Sequence, residues 1–201
     1  MDGRRARRVA NHQYIVAAAR AMIHEGGLDA LSMRALAQRV GVSVTTLYNL
    51  FDTREAIVRA ALDQVLAELV PLVSSLKPTT DLGQLCDNSA SIIDATLNAM
   101  TGPLLLAVMN DPTNARRFIV GHRATEAFVP FLHEAQDRAE LTNPADFSAI
   151  ATAFEAVVYA AGRMWAMGLI ESDERNRRIR SGIKVVLLAY ATPLGRRALQ
   201  D

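Results

Sequence analysis

Residues 31–54, LSMRALAQRVGVSVTTLYNLFDTR, hold two short helical patterns split by a glycine. In the first, Met33, Leu36, Ala37 and Val40 recur at i, i+3, i+4 and i+7, which puts them on one face of a helix. Ser32 stands before them as an N-cap, and Gly41 ends the run because glycine takes a left-handed cap without a Cβ penalty. Ser43 then caps a second helix of about two turns, 44–50. Leu47 and Phe51, four apart, anchor it to a core. Its remaining positions, Val44, Thr45, Thr46, Tyr48 and Asn49, are small, hydroxylated or amide-bearing, and none is acidic. Side chains of that kind can donate to phosphates and read base edges in a major groove. Helix, short glycine turn, helix is the helix-turn-helix pattern; taken without those side chains it would equally describe a plain αα-hairpin.

The same periodicity places the other elements. Ile15, Ala18, Ala19, Met22 and Ile23 form the stripe of a helix over 11–24, stopped by Gly26-Gly27. Leu28 and Leu31 close a small core with Leu36, Leu47 and Phe51. Asp52 or Thr53 starts a fourth helix, with Glu55 set for a capping box if Asp52 is the cap. Leu62, Val65, Leu69, Leu72 and Leu76 carry it to Lys77-Pro78, so one unbroken helix over 52–76 leads from the small domain into a larger one. Five more helices follow: 81–100, 103–110, 112–140 with a kink or interruption at Pro130, 144–168 opened by Asn143-Pro144, and 172–190 capped by Ser172. No strand pattern and no repeat is present, which makes the fold class all-α.

Half of the 201 residues are hydrophobic and only 5% aromatic, with many alanines and leucines, which favours helices. No apolar run is long enough to span a bilayer, and the basic N-terminus lacks a signal-peptide core. Cys86 stands alone, so a reducing cytoplasmic location is expected. Net charge is +1, but residues 1–54 hold eight arginines against four acids, or +4, leaving −3 on the remainder. A basic end on an acidic body suits a nucleic-acid partner confined to that end. Residues 1–9, MDGRRARRV, read as a disordered basic arm that follows a minor groove or phosphates, or as a solvated tail.

Ala35-Leu36-Ala37, Gly41-Val42-Ser43, Leu47-Tyr48, Phe51 and Thr53-Arg54-Glu55-Ala56 resemble the DNA-binding domain of the tetracycline-repressor (TetR) family, over residues 10–62. Asn49 and Leu50 depart from the family, which often has a bulky or basic residue and a histidine there, so no operator sequence transfers. The resemblance implies a three-helix DNA-binding domain with its basic arm at 1–54 and a helical effector-binding and dimerisation domain at 55–201. It also implies a homodimer in which the last two long helices pair with their symmetry mates. Their stripes supply Phe154, Val157, Ile179, Ile183, Val186 and Tyr190 as candidate interface residues, although both stripes could instead pack inward.

The candidate DNA contacts are Arg34, Ser43, Val44, Thr45, Thr46, Tyr48, Asn49 and Arg54. A cation at a helix start runs against the helix dipole, so a phosphate partner would account for Arg54. Met109, Phe118, His122, Glu126, Phe128, Glu155, Tyr159 and Trp165 are candidates for an effector cavity, with the apolar members holding its body and the polar ones orienting a group. Each of the apolar ones could equally be core, and Glu155 and Tyr159, one turn apart, could satisfy each other.

Catalysis finds no footing. The chain lacks the phosphate-loop, nucleophile-elbow and zinc-protease motifs, and His12, His24, His122 and His133 have no metal-ligand spacing. His122 and Glu126, four apart, are an ordinary helix-surface pair. Neither metal nor cofactor is expected. The reading is a cytoplasmic, homodimeric transcriptional repressor, released from an inverted-repeat operator on double-stranded DNA by a small-molecule effector. The alternative is a constitutive or architectural DNA binder with no effector, and the size of the C-terminal part argues against it.

Overall fold

The structure is a computed structural model that describes residues 3–74, 78–116 and 128–200. Among them it is all-α, with a single isolated β-bridge between Leu141 and Ala191. The helices form two compact units.

The first unit contains α1 (Gly3–Ala30), α2 (Met33–Val40), α3 (Val44–Phe51), α4 (Arg54–Ser74) as far as Glu68, and α6 (Gly102–Met109). The basic N-terminal stretch, expected to be a disordered arm, is helical from Gly3. Neither glycine nor proline interrupts residues 4–25, and alanine and arginine are strong helix formers. The helix breaks at Gly26-Gly27, where Gly27 takes φ 70°, ψ −172°. Ile15, Val16, Ala19, Met22 and Ile23 are buried, as are Leu31, Leu36, Leu47 and Phe51. Ala18 and Leu28, expected inside, are half-buried, and Val16 replaces Ala18 in the stripe. The apolar α6 packs on α1 and buries Leu104, Leu105, Ala107 and Val108.

Thr53, rather than Asp52, caps α4: its Oγ1 accepts the Ala56 amide at 3.1 Å. Helix α4 runs through Pro71, which cannot donate the usual hydrogen bond to the carbonyl four residues back. Its last expected residues, 75 and 76, lie outside the described residues.

The second unit contains α4 from Leu69, α5 (Leu82–Met100) up to Ala99, α7 (Val129–Asp137), α8 (Phe147–Ala166), α9 (Ser172–Tyr190) and α10 (Pro193–Ala198). Asp81 caps α5 by accepting the Gln84 amide at 2.8 Å. Residues 112–116 are helical, and 117–127 lie outside the described residues. Pro130 sits in the first turn of α7 and starts a helix rather than kinking one, since a first-turn amide has no helical partner to lose. Helix α8 begins three residues later than Asn143-Pro144 suggests, because Asp146 accepts the Ala149 amide at 2.9 Å and so supplies the cap. Ser172 is the first residue of α9, and its hydroxyl serves the Trp165 indole instead of capping.

Helices α8 and α9 pack face to face. A Cβ on Gly182 would lie 2.5 Å from Val157 Cγ1, so the crossing is as close as glycine permits. Helix α10 has no counterpart in the sequence reading. Thr192 fixes its start by accepting the Gly195 amide at 3.3 Å and donating its own amide to the Glu140 carbonyl at 2.9 Å. No single described helix is long and apolar enough to cross a membrane.

Candidate nucleic-acid interface

The second and third helices are fixed by side chains that the sequence already marks. Ser32 has extended backbone and its Oγ accepts the Ala35 amide at 3.1 Å. Gly41 closes α2 at φ 71°, ψ 31°, and the Val42 amide donates back to the Ala37 carbonyl at 3.0 Å. Ser43 then opens α3: its Oγ accepts the Thr46 amide at 3.0 Å and lies 2.7 Å from Thr46 Oγ1. The helix ends at Asp52, whose φ of 54° turns the chain into α4.

Burial divides α3 sharply. Leu47 and Phe51 are inside, and His12 of α1 stacks on the Phe51 ring at 4.5 Å. Ser43, Val44, Thr45, Thr46, Tyr48 and Asn49 are all exposed, with Tyr48 at 48%. Arg34 on α2 is exposed as well. The unit therefore gathers six of the candidate contacts on one short, rigidly capped helix and its lead-in turn. Arg54 differs. It is half-buried, and its Nη2 donates to the Leu28 carbonyl at 2.5 Å, tying the start of α4 to the turn after α1. That bond supplies a structural partner for the cation that a phosphate had been invoked to explain.

Other arginines of this unit are also committed. Arg39 grips Glu25 through two bonds of 2.6 and 2.7 Å, which holds the Glu25 carboxyl below its usual range. Arg20 pairs with Glu68 at 2.7 Å. The sequence reading missed His12 and the Arg39–Glu25 clamp. Both join α1 to the helix-turn-helix, and pairs so far apart in sequence leave no periodic signal.

The remaining candidates are placed as follows. Met109 is half-buried at the end of α6, in the first unit. Phe128 is buried just before α7, and Trp165 is half-buried on α8, both in the second. Glu155 and Tyr159 are exposed on α8, because Ile150, Phe154 and Ala161 turn the opposite face inward; as cavity residues of a single chain they are misplaced. Phe118, His122 and Glu126 lie outside the described residues.

Of the interface candidates, Phe154, Ile179 and Ile183 are buried within one chain, at 1%, 1% and 0% exposure. They pack inward, as the pairing of α8 on α9 requires. Val157, Val186 and Tyr190 are half-buried. The large apolar residues that α8 and α9 leave exposed are Tyr159 and Val185. The sequence reading also missed Arg175, fully buried on α9. It stands four residues before Ile179 and eight before Ile183, so the apolar stripe run backwards would have found it.

Residues 15–61 match the sequence model of the bacterial regulatory proteins of the tetR family. No curated protein matches the chain. Solved structures do. A TetR transcriptional regulator from Agrobacterium tumefaciens is 17% identical, covers 96% of this chain and 100% of its own, and superposes with a TM-score of 0.71. A tetR-family regulator from Pectobacterium atrosepticum is 18% identical over 94% and 98%, with a TM-score of 0.68. The flavonoid-responsive regulator FrrA is 24% identical over 92% and 98%, with a TM-score of 0.59. At such identities the structures show a shared fold, while the sequence match falls on the helices that carry the exposed α3. Residues 15–61 therefore resemble the sequence pattern of the tetR family of bacterial regulatory proteins, and the chain shares its fold with solved tetR-family regulators.

Proposed function

We propose that this protein is a homodimeric repressor that leaves an inverted-repeat operator when a small, largely apolar effector binds its second unit. The observation that carries the DNA half is α3 itself. Two buried anchors and a serine cap hold it, while its hydroxyls, one amide and one small apolar side chain face outward with no acid among them. Tyr48 and whichever hydroxyl of the Ser43–Thr46 pair keeps its proton free are donors for phosphates. Val44, Thr45, Asn49 and Arg34 are the candidates for base edges. Arg54 acts chiefly as the tie to Leu28 and touches phosphate only with its remaining donors.

A dimer presents two such helices, so the half-sites should lie about one helical turn apart or a near multiple. The outer faces of α8 and α9, with exposed Tyr159 and Val185, support the dimer. The effector reading is supported by a helical second unit larger than dimerisation needs, and by one similar structure being that of a flavonoid-responsive regulator. Selecting bound fragments from genomic DNA tests the proposal. Enriched inverted repeats are the expected result; an enriched single half-site, or no enrichment, overturns it.

A further inference from the structure

We propose that Arg175 forms, with Trp165, a recognition site for a small neutral molecule carrying a carbonyl oxygen beside an apolar body. The inference rests on the effector reading only for its consequence at DNA.

Arg175 is fully buried. Its Nη2 donates to Asp94 Oδ1 and, at 2.9 Å, to Asn98 Oδ1, and its Nε donates to Asn176 Oδ1 at 3.1 Å. A guanidinium has five N–H donors. Among the described residues those on Nη1 find no acceptor, although the atom is buried. Buried donors are almost always satisfied, and an orphan on a cation is the costliest kind. The group is also held in place. Its carbon lies 4.3 Å from the centroid of the Trp165 ring, and the indole Nε1 donates to Ser172 Oγ at 3.1 Å. Platform, cation and orphan donors are thus fixed by residues of one unit.

The charge on Arg175 is already matched by Asp94, whose side chain is 33% exposed. An incoming anion would meet Asp94 as well as Arg175, whereas a carbonyl oxygen fills the orphan donors and adds no charge. The Trp165 surface suits an apolar body.

Trp165 is the chain's single tryptophan, so its indole N–H gives one resonance that reports the site. The full-length protein, free of DNA, is titrated with benzamide, toluene and benzoate. Benzamide should shift that resonance saturably, with toluene and benzoate weaker. Arg175→Lys keeps a cation for Asp94 but removes Nη1, and should weaken benzamide about tenfold, the equivalent of one ordinary hydrogen bond. Toluene binding as well as benzamide overturns the proposal, as does benzoate binding more tightly. Absence of any saturable benzamide shift overturns it too, and assigns Nη1 to a trapped water. If Arg175→Lys loses its helical circular dichroism, the wild-type comparison of benzamide with toluene decides alone. Operator affinity with and without benzamide is measured separately: binding that leaves it unchanged sinks the effector reading and leaves the site standing.

Discussion

Ser43 makes its hydroxyl serve twice, accepting the Thr46 amide and meeting the Thr46 hydroxyl. A lost N-cap costs about 1 kcal/mol, so Ser43→Ala should lower the melting temperature by roughly 2–4 °C and loosen α3. Tyr48 is half exposed, so Tyr48→Ala should leave the melting temperature almost unchanged while operator affinity falls. Measuring both quantities on both variants separates holding the helix from touching DNA. Arg54→Ala should behave unlike a pure phosphate contact. Losing the bond to Leu28 should cost about 1–3 kcal/mol, seen first as a lower denaturation midpoint. Asp81 gives the pH dependence. The Gln84 amide it accepts holds its carboxyl below the ordinary range. A lowered folded value means stability that is complete above the unfolded value and lost as pH falls through the folded one. The melting-temperature advantage of wild type over Asp81→Ala should therefore narrow as pH drops below about 4. The caps at Ser32, Gly41 and Ser43 were legible because serine and glycine at helix ends act locally. Arg175 was not, since its partners Asp94 and Asn98 lie about eighty residues away and burial inverts the usual expectation for a cation.

Among the elements, α2 was readable to the residue and α3 to within one residue of its end, while α8 and α10 were not. The difference lies in competing caps. Asn143-Pro144 offers a plausible helix start, and Asp146 wins only because its carboxylate reaches the Ala149 amide. Helix α10 is a short segment, PLGRRA, with too few residues to show a period, and its start is set by Thr192 bonding Glu140 in a distant loop. The α8–α9 crossing gives a sharper test. Gly182→Leu should destabilise by about 1–3 kcal/mol through overpacking against Val157. Val157→Ala on its own should also destabilise, yet the double variant should recover part of the loss in chemical denaturation, because the removed methyls are those the new side chain strikes.

For the whole molecule, burial decides which substitutions can probe self-association. Ile183 is fully buried within one chain, so Ile183→Glu should unfold the protein rather than yield a monomer. Val185, 66% exposed on the outer face of the same helix, is the better probe. If the proposed dimer forms through this face, Val185→Glu should sediment as a folded monomer at concentrations where wild type self-associates, and should bind a two-half-site operator far more weakly. Cys86 adds a practical consequence. It is the only cysteine, it is buried, and burial pushes its thiol up to about 11. At neutral pH almost none of it is thiolate, the form that alkylates. The native chain is in effect silent to thiol reagents, and Gln38→Cys, exposed on α2 and outside the candidate contacts, would create one reactive position beside each α3. Two spin labels on a dimer would then act as a ruler between the recognition helices, read with operator bound and again with effector added. That distance should take one well-defined value set by the half-site spacing in the first state and lengthen or shorten in the second, without any change to the protein's own sulfur.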